Sequence, residues 1–147
     1  GFPVGVSRGE DIVCWVKLAL MGKVAHAEVA TAVYFQDAVN RTDKLKEVEP
    51  PGSLQYFSSL LRSNNLSWVE QKGLKRLFER MVFFTAAGFR MQGDRVGVVA
   101  IRKLAFSSGL YPVGVVIGLL LFIPPSFLYW ARSLRHPKVA VSNMKGN

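Results

Sequence analysis

Leu110-Tyr111-Pro112-Val113-Gly114-Val115-Val116-Ile117-Gly118-Leu119-Leu120-Leu121-Phe122-Ile123-Pro124-Pro125-Ser126-Phe127-Leu128-Tyr129-Trp130-Ala131 is the stretch on which the reading of this chain turns. It lies between Lys103 and Arg132, and no residue between those two is charged. As a helix rising about 1.5 Å per residue it covers roughly 33 Å, close to the hydrocarbon thickness of a bilayer. Backbone polar groups in lipid are satisfied only in helices or closed barrels, and one segment closes no barrel. The sequence therefore predicts an all-α protein of several amphipathic helices, with one transmembrane helix over residues 109–131. A buried core helix would read similarly, but so long an uncharged run is unusual in a chain this small.

The ends of the run suit a membrane. Tyr111 at one end and Tyr129 and Trp130 at the other fall where amphipathic rings anchor at the two interfaces. Arg132, Arg135, His136 and Lys138 then stop the apolar segment with charge. Pro124 and Pro125 each remove a backbone donor and crowd the carbonyls of Leu120 and Leu121, so a kink or break is expected there. Carbonyls freed in lipid need a partner, from a neighbouring helix, water or a hydroxyl such as that of Ser126. Gly114 and Gly118 form a small-xxx-small face that permits close helix contact. Gly114, Gly118, Pro124 and Pro125 are therefore the expected helix-packing residues. Orientation stays open: Arg90, Arg95, Arg102 and Lys103 before the run balance Arg132, Arg135, Lys138 and Lys145 after it, four against four.

Working outward, the chain has 147 residues, half of them hydrophobic, and its mean hydropathy is positive. Nineteen basic residues against ten acidic give a formal charge of +9, which favours an anionic neighbour. Cys14 is the single cysteine, so no intrachain disulfide framework or thiolate metal cluster is available. The sequence opens Gly1-Phe2-Pro3-Val4 with no secretory signal pattern after it, and a removed organelle-targeting peptide is the expectation.

A tail over residues 1–9 precedes a segment from Glu10 to about Phe35 that reads as one long helix. Its sparse charges (Lys17, Lys23, Glu28) are spread round the axis, so it must bury most of its circumference. A second membrane span there remains open, although those charges are expensive in lipid. The charged linker from Asp37 to Glu49 ends at Pro50-Pro51-Gly52, completing the 10–49 unit. Residues 53–92 hold a short helix, Leu54 to Arg62 with Ser53 as cap, and a second helix. Ser67-Trp68-Val69-Glu70 has capping-box spacing for that second helix. Leu74, Leu77, Phe78 and Met81 recur on one face, with Lys72, Lys75, Arg76, Glu79 and Arg80 opposite. Gln92-Gly93-Asp94 breaks it. Residues 94–108 form an apolar juxtamembrane segment with Arg102 and Lys103 at headgroup level, and residues 132–147 a basic tail.

No catalytic, cofactor-binding or metal-ligating constellation is visible. His26 and His136 lack partners at ligand spacing, Cys14 lacks a base nearby in sequence, and Gly93-Asp94-Arg95-Val96-Gly97 lacks the lysine of a phosphate loop. No enzyme activity, cofactor or nucleic-acid partner is expected. The basic helix matches anionic headgroups or acidic protein surfaces better than nucleic acid, because its aromatics sit on the packing face. Asn40-Arg41-Thr42 and Asn65-Leu66-Ser67 match the glycosylation pattern, which arises often by chance. They keep a secretory-pathway membrane adaptor or receptor fragment open as the rival reading.

In build, a basic single-span chain with no active site and a proline-interrupted span loosely resembles the small accessory subunits of mitochondrial inner-membrane complexes. Leu66-Ser67, Glu70-Gln71-Lys72, Leu74 and Leu77-Phe78 are similar to the helix preceding the span in subunit IV of cytochrome c oxidase, although here the apolar run begins far later. The resemblance implies a supernumerary role in the respiratory chain or ATP synthase, in the mitochondrial inner membrane. The expected partners are other subunits of that complex and membrane lipids such as cardiolipin. Lys72, Lys75, Arg76, Arg102, Lys103, Arg132 and Arg135 are the expected docking charges; Tyr111, Tyr129 and Trp130 are the interface anchors.

Overall fold

The computed structural model describes residues 9–22, 51–63 and 65–135, without the side chains of Arg132 and Arg135. The described residues are helical throughout apart from their connections: α1 (Glu10–Met21), α2 (Gly52–Arg62), α3 (Trp68–Met91), α4 (Arg95–Ser107), α5 (Tyr111–Leu120) and α6 (Pro125–Arg135). The all-α expectation holds among them. The chain divides into two compact units, residues 1–78 and residues 79–147.

In the first unit, α1 packs on α2. The contact begins at Gly9, whose φ of 80° puts the backbone in the left-handed region. A Cβ there would stand 2.5 Å from the Ser53 hydroxyl oxygen, so the two helices meet where only glycine fits. Val13, Leu54 and Phe57 are fully buried, and the Lys17 ammonium lies 5.3 Å from the centre of the Tyr56 ring. The helix expected to run to Phe35 ends at Met21, and Gly22 is extended. Glycine has the largest backbone entropy to lose in a helix, which makes it a natural stop. The rest of that segment, with His26 and the charged linker, lies outside the described residues, as do the N-terminal tail through Arg8 and the C-terminal tail from His136.

Ser53 is not the cap of α2. Pro51 takes that position, with the Leu54 amide donating to its carbonyl at 2.9 Å, and Ser53 is buried in the first turn. Pro51 comes with a fixed φ and needs no donor of its own, so the helix starts two residues earlier than a Ser53 cap would place it. Ser63 closes α2, its hydroxyl donating to the Leu60 carbonyl at 2.8 Å.

The capping box of α3 forms as its spacing requires. The Ser67 amide donates to the Glu70 carboxylate at 2.7 Å, and the Ser67 hydroxyl contacts the same oxygen at 2.6 Å. The Glu70 amide in turn donates to the Ser67 hydroxyl at 3.4 Å. Leu74 and Phe78 are buried on one face, while Lys72, Lys75 and Arg76 are exposed.

The second unit is built from glycine-closed turns. α3 ends in a Schellman arrangement: the Asp94 amide donates to the Phe89 carbonyl at 2.9 Å and the Gly93 amide to the Arg90 carbonyl at 3.1 Å, with Gly93 at φ 80°. Asp94 then caps α4, its carboxylate accepting from the Gly97 amide at 2.9 Å. The same pattern closes α4. Leu110 donates to the Ala105 carbonyl at 2.9 Å and Gly109 (φ 74°) to that of Phe106 at 3.0 Å. Leu110, the apolar residue that such a turn packs inward, is 1% exposed. The core of this unit is Val82, Ala86, Phe89, Val98, Ile101, Ala105, Ile117 and Leu120.

The expected continuous helix over 109–131 is divided in two. α5 stops at Leu120, α6 begins at Pro125, and the axes bend by 112° between them. No single helix among the described residues is long and apolar enough to cross a membrane. The cause is chemical and lies in the two prolines.

Two outcomes test this packing. The hydrogen bonds from the Ser67 hydroxyl and amide hold the Glu70 carboxyl below the ordinary glutamate value of 4.5. A carboxyl with a depressed folded pKa stabilises the fold above the unfolded pKa and loses that contribution as pH falls through the folded value. Unfolding followed by circular dichroism should thus show a Glu70-dependent decline below about pH 4.5 that is missing in Glu70→Gln. Separately, a Cβ on Gly97 would stand 2.6 Å from the Phe89 ring, so Gly97→Ala should destabilise by about 1–3 kcal/mol in thermal unfolding. The Phe89→Ala/Gly97→Ala pair should cost less than the sum of the two single changes, because it removes the ring atoms the new Cβ would strike.

Candidate functional site

In an uninterrupted helix the Leu120 carbonyl would accept from the amide of residue 124, and the Leu121 carbonyl from that of residue 125. Both positions are proline and have no amide hydrogen. The backbone responds by tightening. The amides of Leu121, Phe122 and Ile123 donate three residues back, to Gly118 (3.3 Å), Leu119 (3.1 Å) and Leu120 (3.2 Å). Pro125 then takes the first position of α6, where the missing donor would be unpaired anyway, and the Phe127 amide donates to the Pro124 carbonyl at 3.1 Å.

Arg90 adds a second donor at one of these two carbonyls, that of Leu120, which also accepts from the Ile123 amide. Its Nε donates to the Leu120 carbonyl at 3.1 Å, and the residue is only 6% exposed. A cation at a helix C-terminus also sits favourably against the negative end of the helix dipole. The elbow between α5 and α6 is thus closed by a buried arginine from α3.

Gly114 and Gly118 do pack a helix closely, and that helix is α4 of the same chain. A Cβ on Gly114 would lie 2.9 Å from the Phe106 ring, and one on Gly118 would lie 3.1 Å from the Arg102 Nε. As the α5 position advances from 114 to 118, its α4 partner retreats from 106 to 102, which makes the pair antiparallel. The Arg102 guanidinium carbon is 5.2 Å from the Phe106 ring centre, and its Nε is buried without a hydrogen-bond partner. Arg102 is therefore partly a packing residue, whereas Lys103 beside it is exposed.

The outward side of α5 has a different composition. Val115, Val116 and Leu119 are about half exposed, Tyr111 is 64% exposed, and Phe122 at the elbow is 85% exposed. α6 adds Phe127, Tyr129 and Trp130, with the Phe127 and Trp130 ring centres 5.4 Å apart. Pro124 is exposed at the break. Arg132 and Arg135 follow in the last part of α6, their side chains outside the described set. Of the docking charges on α3, the Lys72 ammonium lies 4.8 Å from the centre of the exposed Trp68 ring, and Lys75 and Arg76 are exposed. Among the described residues, no three His, Cys, Asp or Glu side chains gather as metal ligands.

Sequence reasoning missed Arg90. It counted as one of four basic residues flanking the run, yet it follows Phe89 on the buried face of α3. A prolyl pair that strips two carbonyls of donors announces that a donor is needed; only the tertiary fold says which one arrives.

Arg90→Met should cost about 1.5–3 kcal/mol in thermal unfolding, the usual loss for a hydrogen bond to a charged donor. Pro124→Ala/Pro125→Ala restores both amides and should raise helix content by closing the break, read by circular dichroism in detergent.

No protein-family model matches this chain, and neither a curated protein nor a solved structure does.

Proposed function

We propose that this chain is a non-catalytic accessory subunit of a mitochondrial inner-membrane energy-transducing complex, of the respiratory chain or ATP synthase, held in the bilayer by α5 and α6. The observation that carries the reading is the two-sided apolarity of α5. Gly114, Ile117 and Leu120 are covered by the protein itself, while Val115, Val116, Leu119 and Phe122 face outward in a run with no charge between Lys103 and Arg132. Apolar side chains of this size each gain about 1–3 kcal/mol on leaving water, so such a face favours acyl chains. The embedded element is then the bent α5–α6 pair, in place of a straight crossing helix. The exposed Lys72, Lys75 and Arg76, with Lys103, provide the positive charge that anionic lipids such as cardiolipin or acidic subunit surfaces attract. The assignment to a large complex rests on build: a formal charge of +9, no assembled catalytic motif in the sequence, and amphipathic helices with faces left over for partners.

Carbonate washing of mitochondrial membranes followed by mild-detergent native electrophoresis tests both parts. The chain should stay in the membrane pellet and migrate with a multi-subunit assembly. Release into the carbonate supernatant contradicts the membrane part. Retention in the pellet with migration as a free monomer contradicts the accessory-subunit part.

A further inference from the structure

The uncharged run has the length to cross a bilayer, but the elbow redirects it. α5 has ten residues and advances about 15 Å. The break adds about 2 Å per residue, so the farthest point along the α5 axis lies about 20–25 Å from Tyr111, short of the roughly 30 Å hydrocarbon core. Beyond it the 112° bend turns α6 back. The positions of two arginines add a second constraint. Arg90 is hydrogen-bonded to Leu120, and Arg102 lies against Gly118, so both cations sit beside the last turn of α5. Were α5 to enter upright from its Tyr111 end, that turn would reach the middle of the bilayer and take both charges with it, where charge is most costly.

An α5 lying along the surface avoids both problems. Its buried side rests on α4, which carries the exposed Arg95 and Lys103, and its outward side presents Val115, Val116, Leu119 and Phe122 to the acyl chains. Phe127 and Trp130 on α6 belong to the same apolar set, with Trp130 and Tyr129 at the depth where such rings favour the headgroup boundary. The tie in flanking charge then has a cause. A crossing segment is expected to be biased towards one end, whereas four basic residues on each side fit two flanks that face one compartment.

We infer that α5 and α6 occupy a single leaflet of an anionic bilayer as a monotopic wedge, so that the chain before Tyr111 and the chain after Arg135 lie on the same side of the membrane. The inference rests on the membrane reading above and replaces the crossing topology with a re-entrant one. The Arg90 bond to Leu120 holds the elbow, and the α4 pairing holds Arg102 beside Gly118.

Single cysteines at Gln92→Cys and Ser133→Cys, both at exposed positions, in a Cys14→Ser full-length chain provide the test. Sealed vesicles of native membrane are treated with a membrane-impermeant maleimide before and after detergent permeabilisation. The two sites should label to the same extent from the same side. Labelling of one site before detergent and of the other only after it overturns the one-leaflet inference while leaving membrane residence intact. Trypsin applied to the unmodified chain in the same vesicles gives a readout free of substitutions. Cleavage on both sides of the uncharged run from one compartment supports the wedge, and protection of one flank overturns it. Carbonate release of the chain overturns the wedge together with the membrane reading.

Discussion

Two absent amide hydrogens, at Pro124 and Pro125, govern the second unit. A buried carbonyl without a donor costs about 1–3 kcal/mol, a large share of the stability of a small domain. At Leu120 the chain meets this cost twice over. It shortens the last turn of α5 so that three amides reach back three residues, and it brings Arg90 from α3 to the Leu120 carbonyl. Once Leu120 is bonded to α3, α5 has a fixed end, and α6 must leave in a new direction. The bend follows from backbone chemistry and is held by one side chain.

A second dependence concerns how the small residues are spent. Gly114 and Gly118 admit the Phe106 ring and the Arg102 guanidinium, so the close-packing face of α5 is occupied within the chain. What remains for the surroundings is larger, uncharged and mostly apolar. Under the proposed function this division is useful: the chain fills its own close-packing face first and leaves acyl chains or neighbouring subunits a surface that asks mainly for apolar contact.

The features legible in the sequence are those set by neighbours within a few residues. The capping box at Ser67 and Glu70, the stop at Gly93, the buried face of α3 and the break at Pro124 each depend on local donors, acceptors and periodicity. The end of α1 at Gly22 is not set this way, because a single glycine after an apolar helical pattern is only a weak stop when more such residues follow. Ser53 reads as a cap until Gly9 is seen pressed against it, a contact between residues more than forty positions apart. The sequence expects Gly114 and Gly118 to serve another protein and Arg102 to serve headgroups; both expectations overlook that α4 and α5 fold onto each other through the turn at Gly109. The length of the uncharged run is correct as a measure of apolarity but misleading as a measure of reach, because a bend leaves composition unchanged and shortens the path.

Membrane residence by α5 and α6 requires the outward face of α5 to be in contact with acyl chains. A spin label at Val116→Cys in a Cys14→Ser chain, reconstituted into anionic vesicles, reads this directly through its relaxation by oxygen and by a water-soluble nickel chelate. Strong relaxation by oxygen with little by the chelate is the result expected of a lipid-facing site. Relaxation dominated by the chelate would place Val116 in water and contradict the account at its base.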